Sequence, residues 1–152
     1  MANTNDPNGF TPAYHMSGGT IRPSEFAIAS GTTGAIFSGD VVNLASGLVI
    51  QGTATGTPLG VFYGVEYQAS DGSVVFSKNW VGSTATLGAA NAKAFVYADP
   101  DIVYEAQGSA TPTQASIGTT NTITTTAGDT STGRSKEAVT ATTSSGIALI
   151  HG

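Results

Sequence analysis

The chain has 152 residues, a length that suits one domain with a sizeable buried core. Only 10% of its residues are charged, against a usual ~25%, while 39% are hydrophobic. Its five basic residues, Arg22, Lys78, Lys93, Arg134 and Lys136, are scattered in a chain of net charge −5, so no stripe exists to neutralise a row of phosphates and direct nucleic-acid binding is not expected.

The absence of cysteine excludes disulfides and thiolate metal sites. No apolar run approaches the ~20 residues of a membrane-spanning helix. Residues 1–6 show neither the basic nor the apolar part of a signal peptide. The expectation is a soluble protein, not a membrane protein, synthesised in a cytoplasm.

Residues 1–24 read as an extended N-terminal arm. Asp6-Pro7, Asn8-Gly9, Thr11-Pro12, Gly18-Gly19 and Arg22-Pro23 interrupt it every few residues, and no periodic pattern survives between them. The arm carries Phe10, Tyr14, His15 and Met16, more apolar surface than a disordered tail usually has. It either folds back on its own domain or docks on a neighbour. In the second case Phe10, Tyr14, Met16 and Arg22 are the candidate contacts.

Residues 25–152 read as a β-rich body, with strands expected at 26–30, 35–37, 40–44 and 48–51. Ala45-Ser46-Gly47 has the form of a three-residue hairpin loop with glycine as the left-handed bulge residue. That register sets Leu44 opposite Leu48 and Val42 opposite Ile50 on a core face. A second hairpin runs from 60–67 through Asp71-Gly72 into 73–78. A two-residue type I′ turn there sets Tyr67 opposite Phe76, Val65 opposite Lys78 and Tyr63 opposite Trp80. Further strands are expected at 92–97, 102–106 and 147–150, with Pro100 turning the chain between the first two. No convincing helix is present; Arg134–Val139 is the one stretch with consecutive helix formers. The Thr-rich segment 107–133 has Ile117 and Ile123 as its only large apolar residues and reads as long loops with one or two edge strands.

The chemistry-bearing residues are few. Asp99, Asp101 and Glu105 form the one acidic cluster, but the spacing and glycine of a calcium loop are missing and the Pro100 turn accounts for the two aspartates. His15 and His151 have no partner at metal-ligand spacing. Neither a nucleophile elbow nor a phosphate loop occurs. The sequence therefore predicts no catalytic residue, no metal and no cofactor. Trp80 and the tyrosines are the alternative, as a carbohydrate-binding or adhesin-like platform.

Three segments carry a family resemblance: Ser38-Gly39-Asp40-Val41-Val42-Asn43-Leu44, the run from Pro58 to Tyr67, and the run from Tyr97 to Glu105. Together they resemble small structural proteins of tailed bacteriophage heads, the decoration or cement proteins. The resemblance covers roughly 35–106 and rests on strand and turn patterns. It implies an all-β protein with a small β-barrel or β-sandwich body, non-enzymatic, often trimeric, bound to the outer surface of the capsid. Its partner would be the major capsid protein, and its location the virion after synthesis in the host cytoplasm. Low charge and many small residues fit a homotrimer or other closed cyclic assembly. The apolar strand ending at His151-Gly152 suggests either a terminus buried in an interface or a processed precursor.

Overall fold

The computed structural model describes residues 6–28, 34–54, 56–82, 92–143 and 146–150, with side chains at 141–143 left aside. The chain is all-β. Its thirteen described strands are β1 (Thr11–His15), β2 (Ser24–Ile28), β3 (Ile36–Phe37), β4 (Val41–Ala45), β5 (Leu48–Gln51), β6 (Gly60–Gln68) and β7 (Val74–Ser77), then β8 (Asn79–Trp80), β9 (Ala92–Tyr97), β10 (Ile102–Glu105), β11 (Thr120–Thr124), β12 (Ala138–Thr143) and β13 (Ala148–Leu149). A short 3₁₀ turn at Gln114–Ser116 falls in the Thr-rich segment, where no helix was expected. No described helix is long and apolar enough to cross a membrane.

Five strands close into a small barrel in the order β4-β5-β2-β9-β6. β6 returns to β4 through Val41 opposite Val61 and Val42 opposite Gly60. Every junction is antiparallel except β2 with β5, which meet at Ala27 and Leu48. Closure removes the open edges that a five-stranded sheet would expose. It also requires glycine at position 60, where a Cβ would lie 2.0 Å from the carbonyl oxygen of Tyr97.

The barrel interior is filled by Ile28, Val42, Val49, Phe62, Val65 and Val96, with Ile36 and Trp80 sealing it from the β3–β8 pair. Each such side chain is worth roughly 1.5–3 kcal/mol when taken out of water. A second cluster lies outside the barrel wall: Val41 and Val61 pack with Phe10 and Ile123, flanked by Tyr104 and Val139. Adjacent residues of β4 and β6 thus feed opposite clusters, as the period of two requires, because the β12-β11-β13 sheet covers the outside of that wall.

The two hairpins exchange the turn types expected of them. In the first, Ala45 pairs with Leu48 and Leu44 with Val49, leaving only Ser46 and Gly47 in the loop, with φ of 51° and 79°. Two left-handed residues make the type I′ turn. The slip by one residue swaps which side of β5 faces inward, so Val49 is fully buried in place of Leu48 and Ile50. Leu44, paired with Val49 beside the turn, is exposed.

In the second hairpin the Asp71 carboxylate accepts bonds from the Ser73 N–H (2.9 Å) and hydroxyl (2.6 Å). Gly72 alone is left-handed there, and its N–H bonds to the Ala69 carbonyl. The loop is therefore Ser70-Asp71-Gly72. Glu66 faces Phe76 and Tyr67 faces Val75. The expected Tyr67–Phe76 and Tyr63–Trp80 pairs do not form. Tyr67 turns inward, edge-on to Trp80 at 5.9 Å, while Phe76 points outward.

The arm is extended, and residues 11–15 lie antiparallel to β10 of the same chain. The Phe10 N–H donates to the Gly39 carbonyl at 2.9 Å, and its ring is 8% exposed. Ala29, Ser30 and His151, which the expected features include, lie outside the described residues.

Candidate functional site

The outer face of β6, β7 and β9 carries the largest described group of exposed aromatic side chains. The hairpin register decides this. Phe76, beside Glu66 on the outer face, reaches across β6 to stack on Phe95 with ring centroids 5.3 Å apart. Between them Gly64 has no side chain and pairs with Phe95, so the aromatic ring covers bare backbone. A bulge at Tyr63 turns that ring outward, where it tilts against Tyr97 at 5.5 Å. Val74 is 69% exposed, Phe76 65% and Tyr63 49%.

Two shallow clefts border this face and share Ser38, Tyr63 and Lys78. One of about 220 Å³ lies over Gly64 between Tyr63 and Phe76. The other, of about 400 Å³, extends over Phe10, Tyr97 and Arg134. Burial raises the Tyr97 hydroxyl above its ordinary range, reinforced by Tyr63, and burial pushes Tyr104 up to about 12. The Tyr104 hydroxyl donates to the Tyr97 carbonyl at 2.9 Å. Lys93 meets Glu66 at 4.0 Å across the same face, an exposed pair worth little by itself.

The candidate contacts are divided by the fold. Phe10 belongs to the chain's own core and is not offered to a partner. Tyr14 and Met16 stand exposed on and just after β1, and Arg22 is exposed before β2. None of those three lines the two clefts. The sugar-platform alternative loses Trp80, which is fully buried, and retains Tyr63 and Tyr97.

The acidic cluster is regrouped. Glu105 pairs with Thr11 at the far end of the β1–β10 ladder, while His15 joins Asp99 and Asp101. His15 Nε2 lies 3.0 Å from Asp99 Oδ2, and its Nδ1 lies 2.9 Å from the Ser17 hydroxyl. The Asp101 N–H, helped by His15, holds the Asp99 carboxyl below its usual range. One ligand atom from each of His15, Asp99 and Asp101 lies within 4.8 Å of the others. Holding a cation there would compete with the bonds already made.

A buried acidic pair was not anticipated from sequence. Asp40 and Glu137 are almost fully buried where the arm, β6 and the 133–137 segment converge. Asp40 accepts from the Phe37 N–H at 2.8 Å, Glu137 accepts from the Val41 N–H at 2.9 Å, and the Ser135 hydroxyl accepts from the Glu137 N–H at 3.0 Å. Burial raises Asp40 to about 6. Burial, and then the charge of Asp40, raises Glu137 to about 8. Asp40 Oδ1 and Glu137 Oε1 have no hydrogen-bond partner. These groups lie beneath the surface and pin the C-terminal layer to the barrel.

No protein-family model, curated protein or solved structure matches the chain.

Proposed function

We propose that the chain is a non-enzymatic head decoration, or cement, protein, which seats on the outer surface of a tailed-phage capsid and bridges neighbouring copies of the major capsid protein. The observation that carries this reading is the exposed apolar face of Val74, Phe76 and Tyr63 with Phe95 behind it. Such a patch gains free energy when another protein surface covers it. Its clefts are shallow, which favours a broad protein contact over an enclosed small ligand. In this reading the body surface is the clamp, and Tyr14, Met16 and Arg22 add contacts at the side. A closed homo-oligomer, whether a trimer or another ring, would multiply weak contacts through effective concentration. The virion exterior is the site of action, after synthesis in the host cytoplasm.

The test is co-sedimentation with capsids assembled from the co-encoded major capsid protein. Wild-type chain is expected to sediment at a fixed ratio to shell subunits. A Tyr63→Asp, Phe76→Asp double variant is expected to stay in the supernatant with an unchanged circular dichroism spectrum. Full occupancy by that variant, or no binding by the wild type, defeats the reading.

Exposed Tyr63, tilted against half-buried Tyr97 beside the Ser77 and Lys78 cleft, supports a second reading, a carbohydrate-binding domain. Glycan-array binding abolished by Tyr63→Ala would favour it.

A further inference from the structure

We propose that two copies of this chain pair through the open edge of β7, antiparallel about a two-fold axis at Val75, joining their β6–β7–β9 sheets into one. Among the described residues β7 pairs only with β6 and ends the sheet on its other side. In an antiparallel ladder, bonded and non-bonded residue pairs alternate. The bond from the Ala69 N–H to the Ser73 carbonyl sets the phase. Tyr67 with Val75 and Val65 with Ser77 are then the bonded pairs, and the N–H and C=O groups of Val74 and Phe76 face the open edge.

Edge strands are ordinarily blunted by charge, proline or a bulge. β7 reads Val74-Val75-Phe76-Ser77 and has none of these. Its charges lie just outside, at exposed Asp71 before it and exposed Lys78 after it. This polarity selects both the occupant and its direction. Antiparallel pairing about Val75 sets Val74 opposite the partner's Phe76, so outward-facing backbone groups meet outward-facing groups. It also sets Gly72 opposite the partner's Lys78, bringing that ammonium beside Asp71 at both ends. Parallel pairing would set Asp71 against Asp71 and Lys78 against Lys78. The strand is its own complement in the antiparallel sense alone, as a two-fold interface requires. The exposed Val74 and Phe76 side chains become cross-strand neighbours of the partner's Phe76 and Val74, and the two aromatic faces form one surface.

The pairing deepens the proposed function, because a joined face would be the surface offered to the shell, but it stands on the edge geometry. The experiment is sedimentation of the full chain over a wide concentration range, with two variants. Val74→Pro removes one outward N–H and leaves the β6–β7 bonds in place. Lys78→Asp sets acid against acid at both ends. The wild type is expected to sediment at twice the chain mass. Val74→Pro is expected to sediment as a folded monomer, and Lys78→Asp to associate severalfold more weakly. A wild type that is monomeric or trimeric, or a dimer unmoved by either substitution, overturns the pairing. If Val74→Pro fails to fold, Lys78→Asp decides. Capsid co-sedimentation separates the two proposals: a wild-type monomer that still binds shells ends only the pairing, and a β7 dimer that ignores shells ends only the capsid reading.

Discussion

Replacing Glu137 by glutamine should remove most of the pH dependence of stability between pH 6 and 8. Glu137 has 0% relative exposure, and its carboxyl is raised from 4.5 to about 8 by burial and then by Asp40. Across that interval the folded state keeps a proton that the unfolded chain has released. Stability is therefore fully present below pH ~4.5, falls as pH rises toward 8, and levels off above it. At about 1.4 kcal/mol per pH unit the whole interval amounts to roughly 5 kcal/mol, an upper bound because relaxation and water entry lower the cost of a buried charge. Asp40, raised from 3.8 to about 6, adds a loss of the same sign at the acidic end. The lowered carboxyls of Asp71, Asp99 and Asp129, held by Ser73, Asp101 and Ser131, act below pH ~4 with the opposite sign.

In Glu137→Gln the amide oxygen can still accept from the Val41 N–H, and its NH₂ can take the position of Oε1. No charge then develops as pH rises. Urea unfolding followed by fluorescence of the single, fully buried Trp80 at pH 5 through 9 reads the effect directly. The variant is expected to lie close to the wild type at pH 5 and to exceed it by about 2–4 kcal/mol at pH 9. A wild type with flat stability from pH 5 to 9, or a variant no more stable than the wild type at pH 9, would refute the argument.

Two further changes probe the folded body. Ser46→Gly relieves the only positive φ held by a described non-glycine residue, and it is expected to raise stability by roughly 0.5–1 kcal/mol, read as a rise in thermal midpoint. Phe10→Ala removes a ring shared with Val41, Val61 and Ile123. It is expected to cost about 3 kcal/mol in urea unfolding, whereas an arm serving only a neighbour would leave the isolated chain unaffected.

Much of the fold was legible locally. The alternation around Val41, Leu48, Val61 and Val74 and the glycines at 47 and 72 announced strands and turns, because strand period and left-handed turn residues are properties of a few consecutive positions. β1 escaped because prolines and glycines break its pattern, and it is a strand only by pairing with β10. β11 and β12 lie in threonine-rich sequence whose inward face is marked by little more than Ile123 and Val139.

Choosing between a two-residue and a three-residue loop required tertiary packing. Each hairpin sequence permits both lengths, which differ by one residue of register, and the packed barrel favours the register that buries Val49 and packs Tyr67 against Trp80. That choice also turned Phe76 outward and created the candidate surface. The Asp40–Glu137 pair was equally out of reach of local reading, since 96 positions separate Glu137 from the Val41 N–H it accepts. Sequence by itself determined an all-β chain of low charge and the places where it turns, because these depend on neighbours along the backbone. Barrel closure, the side of each strand that meets water and the burial of two acids were decided by the tertiary structure, because burial depends on residues distant in sequence.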